Sequence, residues 1–161
     1  MSPGSFSFRH RSRTFDSATG AVALQCRMSA TAPPFEMPMA VQPADIDQQN
    51  HVNNTVYVRW VQEAATAHWN ATAPMPARDE IGWVVLRHEI DYKAPVSLGD
   101  EILLRTWVGK ATGVTFERFV EVLRKSDRRV LATARTLWVP IDPKSARPIR
   151  VPAEVRERFS I

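Results

Sequence analysis

With 161 residues, 44% of them hydrophobic and 24% charged, the chain has room for one domain with a buried core and the make-up of an ordinary globular protein. Its formal net charge of +4 points to nucleic acid only until it is mapped: Arg9, Arg11, Arg13 and Arg27 face Asp16 alone in residues 1–27, and residues 28–161 carry 17 basic against 16 acidic side chains, so no basic footprint is left there. No apolar run approaches the roughly 18 residues that span a bilayer, and a single cysteine, Cys26, excludes an intramolecular disulfide framework and a Cys-based structural zinc site. These features predict a soluble, cytoplasmic protein with neither a membrane nor a nucleic-acid partner.

Residues 1–27 are Ser- and Arg-rich and nearly free of acid, a composition that weakly resembles a transit peptide but reads better as a flexible extension or an early start codon, so residues 1–33 are expected to be a flexible N-terminal extension. The domain proper is expected over residues 34–161. Pro33 and Pro34 close the head, and residues 35–41 read as a short strand that Pro38 confines to an edge or a strand start. A polar loop follows from Pro43. From Asn54, an expected N-cap, Val56, Trp60, Ala64 and Ala67 recur at near four-residue steps, predicting an amphipathic helix to about Asn70. Residues 73–76, Ala-Pro-Met-Pro, end it.

Strand character then takes over. Residues 83–92, 102–108, 114–123 and 130–141 are strand candidates, and the short polar links 110–113 and 125–128 suit hairpins. The four are predicted to form an antiparallel meander. Pro143 ends it, and a short helix is expected over residues 153–159. One long helix after a first strand, followed by four long strands, gives an α+β layer in which a curved antiparallel sheet wraps the helix.

The loop carries the chemistry. Asp45-Ile46-Asp47-Gln48-Gln49-Asn50-His51-Val52-Asn53-Asn54-Thr55-Val56-Tyr57 places carboxylates and an imidazole just ahead of a helix N-terminus, where unpaired amides and the positive end of the macrodipole favour an anion. A carboxylate there can activate water or attack a carbonyl, and helix-start amides can hold the developing oxyanion.

This segment resembles the signature of hotdog-fold acyl-CoA thioesterases of the 4-hydroxybenzoyl-CoA thioesterase type, and is similar to that of the plant acyl-ACP thioesterases. The likeness extends to His88-Glu89-Ile90-Asp91-Tyr92 with Pro95 and Gly99-Asp100, to residues 134–142 and to residues 147–152. It implies a hotdog fold with a five-stranded sheet, hydrolysis of acyl-CoA or acyl-ACP to free acid and thiol, no cofactor or metal, and a homodimer or homotetramer whose sites lie between protomers. Asp47 occupies the position of the family's catalytic carboxylate. An aspartate with an ordinary pKa of about 3.9 is ionised at neutral pH, and a thiol of pKa about 8.5 leaves without a strong general acid.

Asn53, Asn54 and Thr55 are candidates to place the oxyanion through backbone amides, Asn54 first, with plain helix capping as the structural alternative. His51 reads equally as catalytic helper and structural hydrogen-bonder. Gln49 departs from the plant pattern, which has asparagine there, and this favours the Asp-centred reading. Arg124, Lys125, Arg128 and Arg129 are candidate contacts to the CoA phosphates, or simply a solvated turn. Trp60, Trp83 and Phe116 are candidate linings of an acyl tunnel. Glu63 lies two and a half turns beyond Asn54, too far for the chemistry, while His68, Trp69 and His88 read as packing or surface residues.

Three rivals are weighed by spacing. A calcium loop beginning at Asp45 would need Gly at its sixth position and Glu at its twelfth, where Asn50 and Val56 stand. A hotdog hydratase would show Asp-x-Asn-Pro-x-His, and that proline is missing here. A non-catalytic acyl-CoA-binding module of the same fold is left open, because fold does not fix function.

Overall fold

The computed structural model describes residues 33–159; the head and Cys26 lie outside the described residues. Its elements run β1 (Phe35–Ala40), α1 (Asn54–Thr72), α2 (Met75–Glu80), β2 (Gly82–Tyr92), β3 (Glu101–Thr112), β4 (Thr115–Arg124), β5 (Val130–Ile141) and α3 (Ala153–Arg158), with a 3₁₀ turn at Pro43–Asp45. All five strands form one antiparallel sheet in the order β1-β3-β4-β5-β2.

Two-residue alternation decides which face each strand buries. On β4, Phe116, Arg118, Val120 and Val122 point inward while Glu117, Phe119 and Glu121 take the half-exposed face. The inner face receives α1. Val56, Tyr57, Trp60, Val61 and Ala64 pack against Ile102, Leu104, Val120, Val122, Leu131, Ala132 and Ala134 in one cluster. A second cluster gathers Ala65, Ala77, Ile81, Phe116 and Trp138 with Val151, Val155 and Phe159, so α3 closes the far end of the helix. Each fully buried aliphatic or aromatic side chain contributes about 1.5–3 kcal/mol relative to exposure.

β1 pairs only with β3, and Pro38, opposite Leu103, sits on that edge strand, where a missing amide donor is tolerated. On β3 the register shifts between Val108 and Ala111, and at Gly109 an added Cβ would lie 2.6 Å from the Phe119 ring. Glycine is the side chain that fits there.

The structure corrects three expectations. β3, β4 and β5 form the expected meander, but β2 lies beyond β5 instead of beside β3. Alternation sets a strand's faces and is silent about its neighbours. The chain leaving β2 is tied down by Lys93 and Ala94 amides that both donate to the Leu131 carbonyl, and it buries Val96 completely on its way to β3. The Ala-Pro-Met-Pro stretch, expected only to end α1, also begins a second helix, α2, whose Pro76 sits in the first turn where no donor is needed. Finally, the N-cap of α1 is Asn53, and Asn54 is the first helical residue.

Candidate functional site

An isolated antiparallel bridge between Ile46 and Val52 makes the motif a miniature hairpin. Within it the Asp47 amide donates to the His51 carbonyl at 2.9 Å, and the Asn50 amide donates to the Asp47 carbonyl at 3.1 Å. Asn50 takes φ 61°, a left-handed conformation that asparagine tolerates better than most residues. The Asp47 carboxylate is half-exposed, and its Oδ1 accepts from the Gln49 amide at 2.8 Å and, more weakly, the His51 amide at 3.5 Å. Oδ2 has no hydrogen-bond partner among the described residues. One oxygen therefore shapes the loop, and the other is uncommitted among the described residues. His51 is exposed, and its contacts with Asp47 run through its backbone, not its imidazole.

Asp45 fastens this hairpin to the helix. It is only 2% exposed, and its carboxylate accepts from the Gln42 amide at 3.0 Å and from Arg59 Nη2 at 2.8 Å. Its carbonyl also accepts from the Asn53 amide at 2.9 Å. Arg59 reaches on to Glu63, with 3.5 Å between Nε and Oε1, which puts Glu63 in an ion pair on the helix flank. Sequence reasoning gave neither Asp45 nor Arg59 this role, because fourteen residues separate them and no local spacing signals the pair.

At the helix start, Asn53 Oδ1 accepts from the Thr55 amide at 2.9 Å and from its hydroxyl at 2.8 Å, while the Asn53 carbonyl takes the Val56 amide at 2.9 Å. No acceptor meets the Asn54 amide among the described residues. Tyr92, at the end of the edge strand β2, donates its hydroxyl to the Asn54 carbonyl at 3.3 Å and packs edge-on against Tyr57. The half-exposed hairpin carboxylate and the unclaimed helix-start amide thus belong to one short stretch of chain beside a sheet edge.

Arg124, Lys125, Arg128 and Arg129 sit around the β4–β5 turn, at the sheet end shared by the close of β1 and the start of β3. Arg124 pairs with Asp127 at 3.2 Å, Lys125 with Glu101 at 3.4 Å and Arg128 with Glu36. Arg129 pairs with no carboxylate among the described residues. Such exposed pairs are weak, typically below about 1 kcal/mol each. Of the suggested tunnel residues, Trp83 and Phe116 line a cavity at the other end of the helix, whereas Trp60 is fully buried in the core. Among the described residues, no three His, Cys, Asp or Glu side chains converge as metal ligands would, and no helix is long and apolar enough to cross a membrane.

His68 is a packing residue with an electrostatic consequence. Its ring stacks on Phe35 with centroids 5.2 Å apart, meets Phe159 edge-on at 4.9 Å, and lies 2.9 Å from Arg118 Nη1 through Nδ1. Burial, seconded by the Arg118 charge, pushes its pKa down to about 4. The unfolded chain therefore binds this proton first, so stability is full above about pH 6.5 and is lost as pH falls towards 4. Allowing for partial exposure of the ring, the loss attributable to His68 is about 2 kcal/mol. Denaturant titrations between pH 7 and 4 should show His68→Gln losing less stability than wild type by that amount; parallel curves would contradict the assignment.

Set beside known proteins, the sequence matches the profile of the thioesterase-like superfamily over residues 41–159. It is 25% identical over 130 residues to the acyl-CoA thioester hydrolase YbgC of Escherichia coli, an alignment covering 78% of this chain and 95% of that protein. In three dimensions it superimposes on the PA5185 protein of Pseudomonas aeruginosa with a TM-score of 0.72 at 22% identity, covering 80% of this chain and 90% of that one. A Thermus thermophilus thioesterase solved in complex with coenzyme A and Zn gives a TM-score of 0.67 at 24% identity, with 77% and 90% covered. The architecture is the hotdog fold, a curved five-stranded antiparallel sheet around a long helix.

Proposed function

Because the chain belongs to the thioesterase-like superfamily, we propose that it hydrolyses acyl-CoA thioesters to a free acid and CoA thiol, with Asp47 as the working carboxylate. The observation that carries this reading is the pairing of an Asp47 oxygen free of loop contacts with an unclaimed Asn54 amide in one hairpin-and-helix-start unit. Asp47 either takes a proton from water as that water adds to the thioester carbonyl, or adds to the carbonyl itself. In both routes negative charge gathers on the carbonyl oxygen, the Asn54 amide and the positive helix end stabilise it, and the thiolate departs as the carbonyl reforms, leaving the free acid in the first route and, in the second, a mixed anhydride on Asp47 that water then hydrolyses to the free acid and the restored carboxylate. Asn53 and Thr55 hold that amide in place through the cap. His51 supports the hairpin by its backbone.

The four basic residues of the β4–β5 turn are the proposed contact for CoA phosphates, exchanging weak exposed ion pairs for a multiply charged ligand. An acyl carrier protein, which also presents phosphopantetheine, is the alternative carrier. The test is a substrate panel from acetyl-CoA to palmitoyl-CoA with one aromatic acyl-CoA, each matched to a thioester lacking the nucleotide and followed by thiol release. Turnover is expected on both sets, with KM lower for the CoA esters. Equal KM values would remove the phosphate contact while leaving hydrolysis intact.

A homodimer or homotetramer is also proposed. β2 is an unpaired edge that exposes Val84, Leu86 and Tyr92, and Tyr92 touches the helix start, so a second protomer seated there would border the site. Light scattering at micromolar concentration should give at least twice the 18.2 kDa chain mass. A monomeric mass would contradict it.

A further inference from the structure

The cavity at the far end of α1 measures about 120 Å³ and is walled by Trp69, Trp83, Phe116, Trp138, Phe159 and Arg118. Four strands, the second half of α1 and α3 supply its walls. Its helix residues run from Gln62 to Trp69, which places it roughly 12–22 Å up the helix axis from Asn54. It therefore stands apart from the Asp47 hairpin within one protomer.

Arg118 makes this cavity unusual. The residue is 8% exposed, and burial lowers its pKa to about 10, so it is still a cation at neutral pH. The hydrogen bonds of its guanidinium among the described residues all leave from Nη1, to His68 Nδ1 at 2.9 Å and Thr106 Oγ1 at 3.2 Å. Both partners are neutral at that pH, since the His68 pKa is about 4. No carboxylate pairs with Arg118 among the described residues, whereas far more exposed arginines, such as Arg59, Arg87 and Arg128, each have one. Glu117 also borders the cavity, but its carboxylate is engaged by Arg135. Burying a cation without a counter-charge is costly unless a ligand supplies one. The indole N–H of Trp83, in the same wall, is likewise buried without an acceptor.

We infer that this cavity is a binding site for a small aromatic carboxylate, its ring held among the indole and phenyl faces and its carboxylate placed on Arg118. Size limits the occupant to about one ring, since the cavity's volume of about 120 Å³ is somewhat below the roughly 150 Å³ of a cavity known to hold benzene. Aromatic walls suit a ring face, and a guanidinium with Nε and Nη2 uncommitted suits a planar carboxylate in two parallel hydrogen bonds. The site does not depend on the thioesterase reading, because it involves no residue of the hairpin or helix start.

The test is a fluorescence titration of the full chain, since Trp69, Trp83 and Trp138 line the cavity. Benzoate should change the emission saturably and bind at least about tenfold tighter than benzyl alcohol, the neutral analogue of similar shape. In Arg118→Gln, checked for folding by circular dichroism, that preference should disappear. Equal binding of benzoate and benzyl alcohol by the wild-type protein would overturn the inference even if the variant fails to fold, as would an unchanged benzoate affinity in a folded Arg118→Gln. Competitive inhibition of thioester turnover by benzoate would assign the carboxylate to the distal end of an acyl group reaching this cavity. Binding with turnover unchanged would assign it to a free acid. Both results retain the anion site, and since binding is read without turnover, failure of hydrolysis and failure of this inference are separable.

Discussion

Trp60→Ala should destabilise the protein by about 3–5 kcal/mol, the range found when a large buried aromatic is truncated in a core that relaxes only partly. Trp60 is 0% exposed, lies on the face of α1 that meets the sheet, and packs against Tyr57 with ring centroids 5.2 Å apart. Its removal strips contacts from the cluster formed with Ile102, Leu104, Val120 and Leu131. Single domains are stable by only about 5–15 kcal/mol, so the loss is a large fraction of the total. Urea denaturation is the check: the midpoint should fall sharply while the slope stays close to wild type. Trp60→Phe should cost much less, because most of the ring volume stays and the indole N–H it deletes has no hydrogen-bond partner. A shift below about 1 kcal/mol for Trp60→Ala would show that the helix does not organise the core.

Periodicity made the element types legible and left their neighbours unread. The four-residue recurrence of Val56, Trp60 and Ala64 located α1, and alternation located the long strands, because both patterns follow from which face is buried. The place of β2 was not legible, since the same alternation would suit a strand beside β3 or beside β5. Asn53 and Asn54 are equally good caps by residue type, and the geometry of the Thr55 amide selects the first. In the candidate site, the motif marked a stretch of thirteen residues that the structure folds into a hairpin and a helix start. What it could not show was that one Asp47 oxygen is committed to the Gln49 amide, or that Asp45 locks the hairpin to Arg59. Arg118 left a signal that the reading did not use: it occupies an inward position between Phe116 and Val120. Its partner His68 lies fifty residues away, beyond any local pattern.

Asp47→Asn should lower kcat by about 10²- to 10⁴-fold, the usual consequence of losing a positioned base. The substitution is nearly isosteric, and an asparagine carbonyl in the place of Oδ1 can still accept from the Gln49 amide, so the hairpin should keep its form. The melting temperature should therefore stay near that of wild type. His51→Ala should cost less, because histidine serves the hairpin through its backbone, which alanine retains.

The most direct measurement follows one acyl-CoA that wild type hydrolyses and determines, for the folded Asp47→Asn protein, both its dissociation constant and its rate of thiol release. Binding within a few-fold of wild type, with release slowed by about 10²-fold or more, is the expected result. Undiminished release by the folded variant would contradict the role of Asp47, and wild type that binds every acyl-CoA offered yet frees no thiol would make the protein an acyl-binding module of the same fold.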